Sequence, residues 1–434
     1  MSPGVADPVE IGGCTLPNRL YRAPLLECAG NGPGAVDALI DELEPAAEAG
    51  AGLIFQGATI VRDEGGCAAP GMTRVHDPAF VSRLGRLTDA IHGHDSRLFL
   101  QLEHGGLRSM ETWHAGYRAE HPDLQQLAVS KPPAGLRAAD RLGLLEYDPH
   151  VLSTGEVYEL AADFGRSAAY AVEAGYDGIH LAGANMGIVQ QFLSPFYNRR
   201  TDEFGGSRHD RIRFLQVVHD EIRDRAGDAP LVTKVPAETG SPGFVRRRLD
   251  ERDAVAICRA CEAIGFDAVV PVRGSVFWDM SIIKGNYPER AWDDERFEAG
   301  YEEAFGPRWR AVALANRLHA RRFPFEPAWN ADLCRAVRER VSIPVLCEGG
   351  IREPERIDSL LGEACDAVGM GRPFYAEPRL PARVLAGEGV VCENCNNCTV
   401  PQAAGADGVC RTPSVLAERG RLARQGAYER ERRS

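Results

Sequence analysis

The chain has 434 residues, 44% of them hydrophobic, and a formal net charge of −12. That apolar content is enough to bury a large core and excludes a disordered tail. The acidic balance, with Lys and Arg interleaved among Asp and Glu, argues against a nucleic-acid partner, and no apolar run approaches the roughly 20 residues that span a bilayer.

Short apolar runs alternate with helical patterns along the chain. Residues 19–25, 52–56, 97–102, 178–181, 231–235, 267–272, 343–346 and 366–369 each read as a buried strand, rich in Val, Ile or Leu with glycine nearby. Between them, residues 157–174, 211–225, 252–264, 330–341 and 354–361 carry apolar positions at helical spacing. Eight strands alternating with helices predict an α/β protein with a parallel sheet, and eight is the number that closes a (β/α)8 TIM barrel. Two stretches break the rhythm. Residues 108–155, rich in Gly, Pro and His, read as a loop excursion after the third strand. Residues 273–329 follow the sixth strand and hold four of the five tryptophans. The expected organisation is a barrel over residues 1–385 with these two insertions, then a C-terminal extension over 386–434 that ends in a helix-like stretch from 415. The first 18 residues lack the basic start and apolar run of a signal peptide, so the expected location is the cytoplasm.

Twelve cysteines in such a compartment need an explanation, because the cytosol disfavours structural disulfides. Eight are scattered and read as buried free thiols. The other four are grouped. Cys392, Cys395 and Cys398 follow one another with two-residue gaps, and Cys410 follows after an eleven-residue gap. Three thiols in close order wrap a turn around one centre, and the fourth returns from a loop. Such a set suits a [4Fe–4S] cluster or a structural zinc. Zinc sites more often show two separated Cys-x-x-Cys pairs, so the spacing favours iron–sulfur.

The polar motifs fall at the C-terminal strand ends, where barrel enzymes keep their chemistry. Gly349, Gly350 and Gly371 let backbone N–H groups approach a phosphate, and Arg372 supplies charge. Gln101 has an amide that both donates and accepts, as the pyrimidine edge of a flavin requires. Lys234 at a strand end inside a barrel is costly unless paired, and a cation there stabilises negative charge at flavin N1 and O2.

The segment Gln191-Phe192-Leu193-Ser194-Pro195-Phe196-Tyr197-Asn198-Arg199-Arg200-Thr201-Asp202-Glu203-Phe204-Gly205-Gly206-Ser207 and the ending Gly369-Met370-Gly371-Arg372-Pro373-Phe374 resemble the Old Yellow Enzyme family of FMN oxidoreductases. The likeness runs over roughly residues 8–378. With the cysteines added, it extends to the iron–sulfur branch that includes 2,4-dienoyl-CoA reductase and trimethylamine dehydrogenase. The resemblance implies that FMN is lined by Pro24, Leu25, Ala58, Gln101, Lys234, Gly350, Gly371 and Arg372, and that Leu26 stands where the family tunes the flavin potential. It implies a hydride passing between FMN N5 and a small organic substrate, an activated alkene, ring or amine.

One part of the pattern departs. The family grips a substrate carbonyl with two His or a His–Asn pair after the fourth strand and donates a proton from a Tyr two residues on. The matching positions here are Ala182, Asn185 and Gly187. Asn185 remains the substrate-contact candidate. His180 points to either face of its strand. Tyr197, His104, the start of the 273–329 insertion, with Trp278 as an aromatic wall, or water are the alternative proton sources and contacts. In the iron–sulfur branch further nucleotide-binding domains follow the barrel. The last 24 residues here carry no Gly-x-Gly-x-x-Gly fingerprint, so the expected electron partner is a separate transfer protein or reductase. Association into a homo-oligomer is in keeping with barrels of this kind. Two alternatives stand beside this reading: a flavin barrel with structural zinc, and a non-catalytic binding subunit that has lost its donors.

Overall fold

The computed structural model describes residues 3–141 and 146–429. Eight strands form one all-parallel sheet: β1 (Leu20–Arg22), β2 (Leu53–Ile60), β3 (Arg97–Glu103), β4 (Gly178–Leu181), β5 (Leu231–Ala237), β6 (Ala268–Arg273), β7 (Leu346–Glu348) and β8 (Ala367–Met370). Each pairs with its neighbour in sequence, and β8 pairs with β1 through Val368↔Leu20. A parallel bridge between Val269 and Val345 joins β6 to the start of β7 and closes the barrel. All eight expected strands are present. The seventh lies two or three residues later than expected, because Val345 is the bridge and the ladder proper begins at Leu346.

Side-chain alternation sorts the strands into two cores. On β3, Leu98, Leu100 and Leu102 face the helical layer, whereas Phe99 joins Leu53, Phe55, Val232 and Leu346 inside the barrel. The outer layer is formed by α1 (Ala35–Glu48), α2 (Gly85–His92), α3 (Thr154–Glu173), α4 (Arg208–Ala226), α5 (Glu251–Ile264), α6 (Ala331–Arg338), α7 (Pro354–Glu363) and α8 (Leu380–Leu385). Their boundaries have local causes. Reciprocal capping boxes start α3 (Ser153, Glu156), α4 (Ser207, Asp210) and α5 (Asp250, Asp253). Gly265 ends α5 at φ +114°.

A short antiparallel hairpin, Val9–Ile11 with Cys14–Leu16, seals the N-terminal end of the barrel. Its two-residue turn has Gly12 and Gly13 at φ +56° and +79°. Its Ile11 and Leu16 insert into the interior core.

The first insertion is not the loop that its composition predicts. It contains helices Met110–Trp113, Ala115–Glu120 and Ala134–Arg141, and two short strands, Leu127–Ala128 and His150–Val151, paired in parallel. Helices of four to eight residues are too short to show a periodicity, so the Gly and Pro around them dominated the reading. The insertion also ends earlier than residue 155, because Ser153 caps α3. Residues 142–145 lie outside the described residues.

The second insertion is helical, with Glu298–Phe305 and Trp309–Arg322 its longest segments. Trp292 and Trp309 pack with Tyr301 into its own small core. After α8 the chain winds through the cysteine segment into a helix, Pro413–Arg424. The last five residues of the helix-like stretch lie outside the described residues. Among the described residues no helix is long and apolar enough to cross a membrane.

Candidate active site

The C-terminal strand ends surround a cavity of about 140 Å³. Its wall draws on distant parts of the chain. Pro24 and Leu25 follow β1, Asn185 follows β4, and Lys234 lies in β5. Gly349 and Gly350 follow β7, and Gly371 and Arg372 follow β8. The fold thus brings eight of the residues singled out from sequence to one place.

The glycine side of the cavity fits an anion. Gly349 and Gly350 adopt φ +104° and +72°, and a Cβ on Gly350 would lie 2.4 Å from the Glu326 carbonyl oxygen. Only glycine is accommodated there. Beside them Arg352 lines the cavity, and its Nε is buried with no hydrogen-bond partner among the described residues. A partnerless donor next to two glycines is what a phosphate oxygen would satisfy. A wider cleft of about 390 Å³ shares Gly350 and Arg352 with the cavity. Arg372 is buried and turned toward the cysteines. Its Nη1 donates to Asn396 Oδ1 and its Nη2 to the Lys284 carbonyl at 3.0 Å.

Another part of the wall is charged and tightly paired. Lys234 forms an ion pair with Glu348, which also lines the cavity. Glu103 accepts from Arg108 Nη1 at 2.8 Å, and the same nitrogen donates to the Asn185 carbonyl at 2.9 Å. Burial pushes the Glu103 carboxyl up, against the pull of Arg108 and Lys234. Asn185 and Met186 are both left-handed, at φ +64° and +63°. Two consecutive non-glycine residues in that region are uncommon, and the Arg108 bridge helps to hold them.

The remaining candidates divide. Trp278 is half-exposed, packs against Trp113 with centroids 5.2 Å apart, and lines a small side cavity that adjoins the main one at Asn185. His180 faces into the barrel rather than the helical layer, lying against Phe55. Its Nδ1 is 2.8 Å from Gln101 Nε2. Burial, then Lys234, hold its pKa well below the usual range. His180 and Gln101 therefore sit on the barrel side of the cavity, outside its wall. Leu26 and Ala58 pack with Cys67, Met72 and Met110.

Two of the proposed proton sources are otherwise engaged. The Tyr197 hydroxyl donates to the Val276 carbonyl inside a buried apolar cluster, which removes it from the cavity. His104 is buried between the Glu64 carbonyl, 2.9 Å from Nε2, and the Gly106 N–H, which donates to Nδ1 at 3.2 Å. Burial drives its pKa down to about 3, so the ring is neutral and its one N–H, on Nε2, is given to the Glu64 carbonyl. The sequence reading missed Glu103, Arg108, Glu348 and Arg352. Strand alternation places Glu103 on the same face as Gln101, and Glu348 and Arg352 flank the glycine pair, so the signals were present.

Cys392, Cys395, Cys398 and Cys410 line one pocket. The segment turns sharply there, with Asn394 and Asn396 at φ +53° and +62°. No group of three or more His, Cys, Asp or Glu side chains among the described residues is drawn together closely enough to grip a single metal ion. The thiols therefore surround a shared space without closing on its centre. Arg372 and Asn394 line both this pocket and the main cavity. The other eight cysteines are free, and all but Cys14 and Cys28 are buried.

The sequence profile of the NADH:flavin oxidoreductase / NADH oxidase family matches residues 5–277. The chain belongs to this family. That family is of the Old Yellow Enzyme type. The match ends before β7, so the glycine pair and the cysteines lie beyond it. A metal reductase from Desulforamulus reducens is 27% identical over 394 residues, covering 90% of this chain and 50% of that protein. A 4,4'-dithiodibutanoate disulfide reductase from Rhodococcus erythropolis is 26% identical over 436 residues, covering 97% and 98%. The chain spans about half the length of several curated relatives it matches. Histamine dehydrogenase from Rhizobium sp. 4-9 shares the fold, with TM-score 0.71 and 22% identity over 95% of this chain and 53% of that one.

Proposed function

We propose that this chain holds FMN in the rim cavity and a [4Fe–4S] cluster among Cys392, Cys395, Cys398 and Cys410. It would move a hydride between flavin N5 and a small organic substrate, an activated alkene, ring or amine. In this reading single electrons pass through the cluster to or from a separate protein. The observation that carries it is the shared wall: Arg372 and Asn394 line both the cavity and the thiol pocket. Two redox groups so placed are immediate neighbours. Cys395 and Cys410 are partly exposed, which gives a partner protein access.

When bound, FMN supplies the hydride chemistry, and the protein supplies position and electrostatics. Gly349, Gly350, Gly371 and Arg352 hold the phosphate. Lys234 offers a cation to the pyrimidine end. Asn185, set by its left-handed backbone, presents its amide to the substrate, and Trp278 walls the side cavity. The Glu103 carboxylate, held by Arg108, stands beside Asn185 and fixes its backbone through that shared arginine. The relay reading extends to the domain plan, with residues 386–434 as the cluster-binding extension of a cytoplasmic barrel.

Anaerobic purification, a visible spectrum, and flavin, iron and acid-labile sulfide analysis test this. Flavin bands with about four irons per chain are expected. Flavin with zinc instead of iron would replace the relay with a structural metal. A colourless protein would overturn the reading and favour a binding subunit.

A further inference from the structure

Lys234 lies in β5, beside Val270 of β6, and Glu348 ends β7, so their side chains meet across β6. Both line the cavity, and their side chains are 8% and 13% exposed. Only one carboxylate oxygen is used. Glu348 Oε2 is buried with no hydrogen-bond partner among the described residues. Nearby stand Glu103, already paired with Arg108, the neutral ring of His180, and the Tyr21 hydroxyl, itself buried without a partner among the described residues. Two cations, Lys234 and Arg108, thus face two carboxylates, Glu348 and Glu103. The charge on this side of the cavity cancels internally.

An ion pair kept this dry is poor evidence of added stability, because desolvation offsets the attraction. Leaving one oxygen of the carboxylate unpartnered costs further. A group maintained at that cost beside a ligand cavity has an electrostatic use.

We propose that Glu348 is a built-in counter-ion of the flavin site: by neutralising Lys234 it lowers the electron affinity of the bound flavin. This rests on the FMN reading above. The negative charge that reduction places at the pyrimidine end meets a cancelled pair instead of a free ammonium. Glu348 is a positioning residue, acting through Lys234.

The test uses the flavin-loaded protein and two readouts independent of turnover: the midpoint potential, and the affinity for sulfite, which adds to flavin N5 as an anionic adduct. Glu348→Gln keeps the shape and removes the charge. The expected result is a higher potential and sulfite binding tighter by about tenfold, the scale of one unmasked charge in partly buried surroundings. Lys234→Gln should shift both readouts the other way. The double variant replaces one neutral pair with another, so it should return close to the wild type.

Unchanged values in Glu348→Gln overturn the proposal, as does a double variant no closer to the wild type than Lys234→Gln. If Glu348→Gln fails to hold flavin, the double variant decides alone: near-wild-type sulfite affinity supports the counter-ion role, and weakened affinity removes it. A wild-type protein that binds no flavin would instead overturn the FMN reading, and this inference with it.

Discussion

The rim cavity and the thiol pocket share Arg372 and Asn394, yet their walls are made by different means. The cavity is built from strand ends. Its geometry is inherited from ladders such as that of β5 and β6, which run in register from Val232↔Ala268 to Ala237↔Arg273. The thiol pocket is built from one winding segment held by side chains. Asn396 Nδ2 donates to the Asn286 carbonyl at 3.1 Å, and Asn397 Nδ2 to Thr412 Oγ1 at 3.2 Å. The Val391 N–H donates to Glu377, which is itself clamped by Arg383 and the Tyr428 hydroxyl. One region comes with the barrel. The other depends on a few polar clamps and on whatever group the thiols bind.

The sharpest way to separate the two regions is to remove a thiol. Cys398→Ser should abolish bound iron while flavin stays at wild-type occupancy, read by metal analysis and absorbance. Flavin lost in step with iron would mean that the regions do not assemble independently. The complementary change is Gly350→Ala. At φ +72° with a Cβ 2.4 Å from a carbonyl oxygen, the new methyl must displace backbone. A weakening of FMN affinity by about ten- to a hundredfold is expected from strain of roughly 1–3 kcal/mol, with iron content unchanged. Equilibrium dialysis against FMN measures it.

A third prediction concerns how the cavity region responds to acid. Folded His104 stays neutral down to about pH 3. Its unfolded counterpart takes up a proton below roughly pH 6.5. The unfolded state therefore binds more protons in that window, and stability falls as pH drops from about 6.5 toward 3. His104→Gln should lack this component, so urea-unfolding curves at stepped pH should bring variant and wild type together in acid. Parallel pH profiles would refute it. The smallest effect is expected at Asn185. Asn185→Gly relieves a left-handed residue and should change stability by less than about 1 kcal/mol, whereas Asn185→Ala should cost about that much, seen by thermal unfolding.

The same contrast explains what could be read from sequence. Strands announce themselves by short apolar runs, so all eight were legible, and with them the convergence of Lys234, Gly350 and Gly371 at one rim. Spacing also exposed the four cysteines. The chemistry between elements was harder. Nothing in the local sequence says that Lys234 finds Glu348, 114 residues away, or that Tyr197 spends its hydroxyl on Val276. Such pairings are properties of the closed barrel. The short helices of the first insertion were missed because each is stabilised by its neighbours and carries no pattern of its own.

The hairpin at the N-terminal end has a bearing on traffic. Ile11 and Leu16 stopper the barrel from below, packed against Phe55 and Phe99, so the interior is no tunnel. Traffic is confined to the C-terminal end of the strands, where the wider cleft meets the rim cavity at Gly350 and Arg352 and the side cavity meets it at Asn185. Entry and exit share one end of the barrel, and Trp278, half-exposed over the side cavity, is a doorpost that can be reshaped without disturbing the strands.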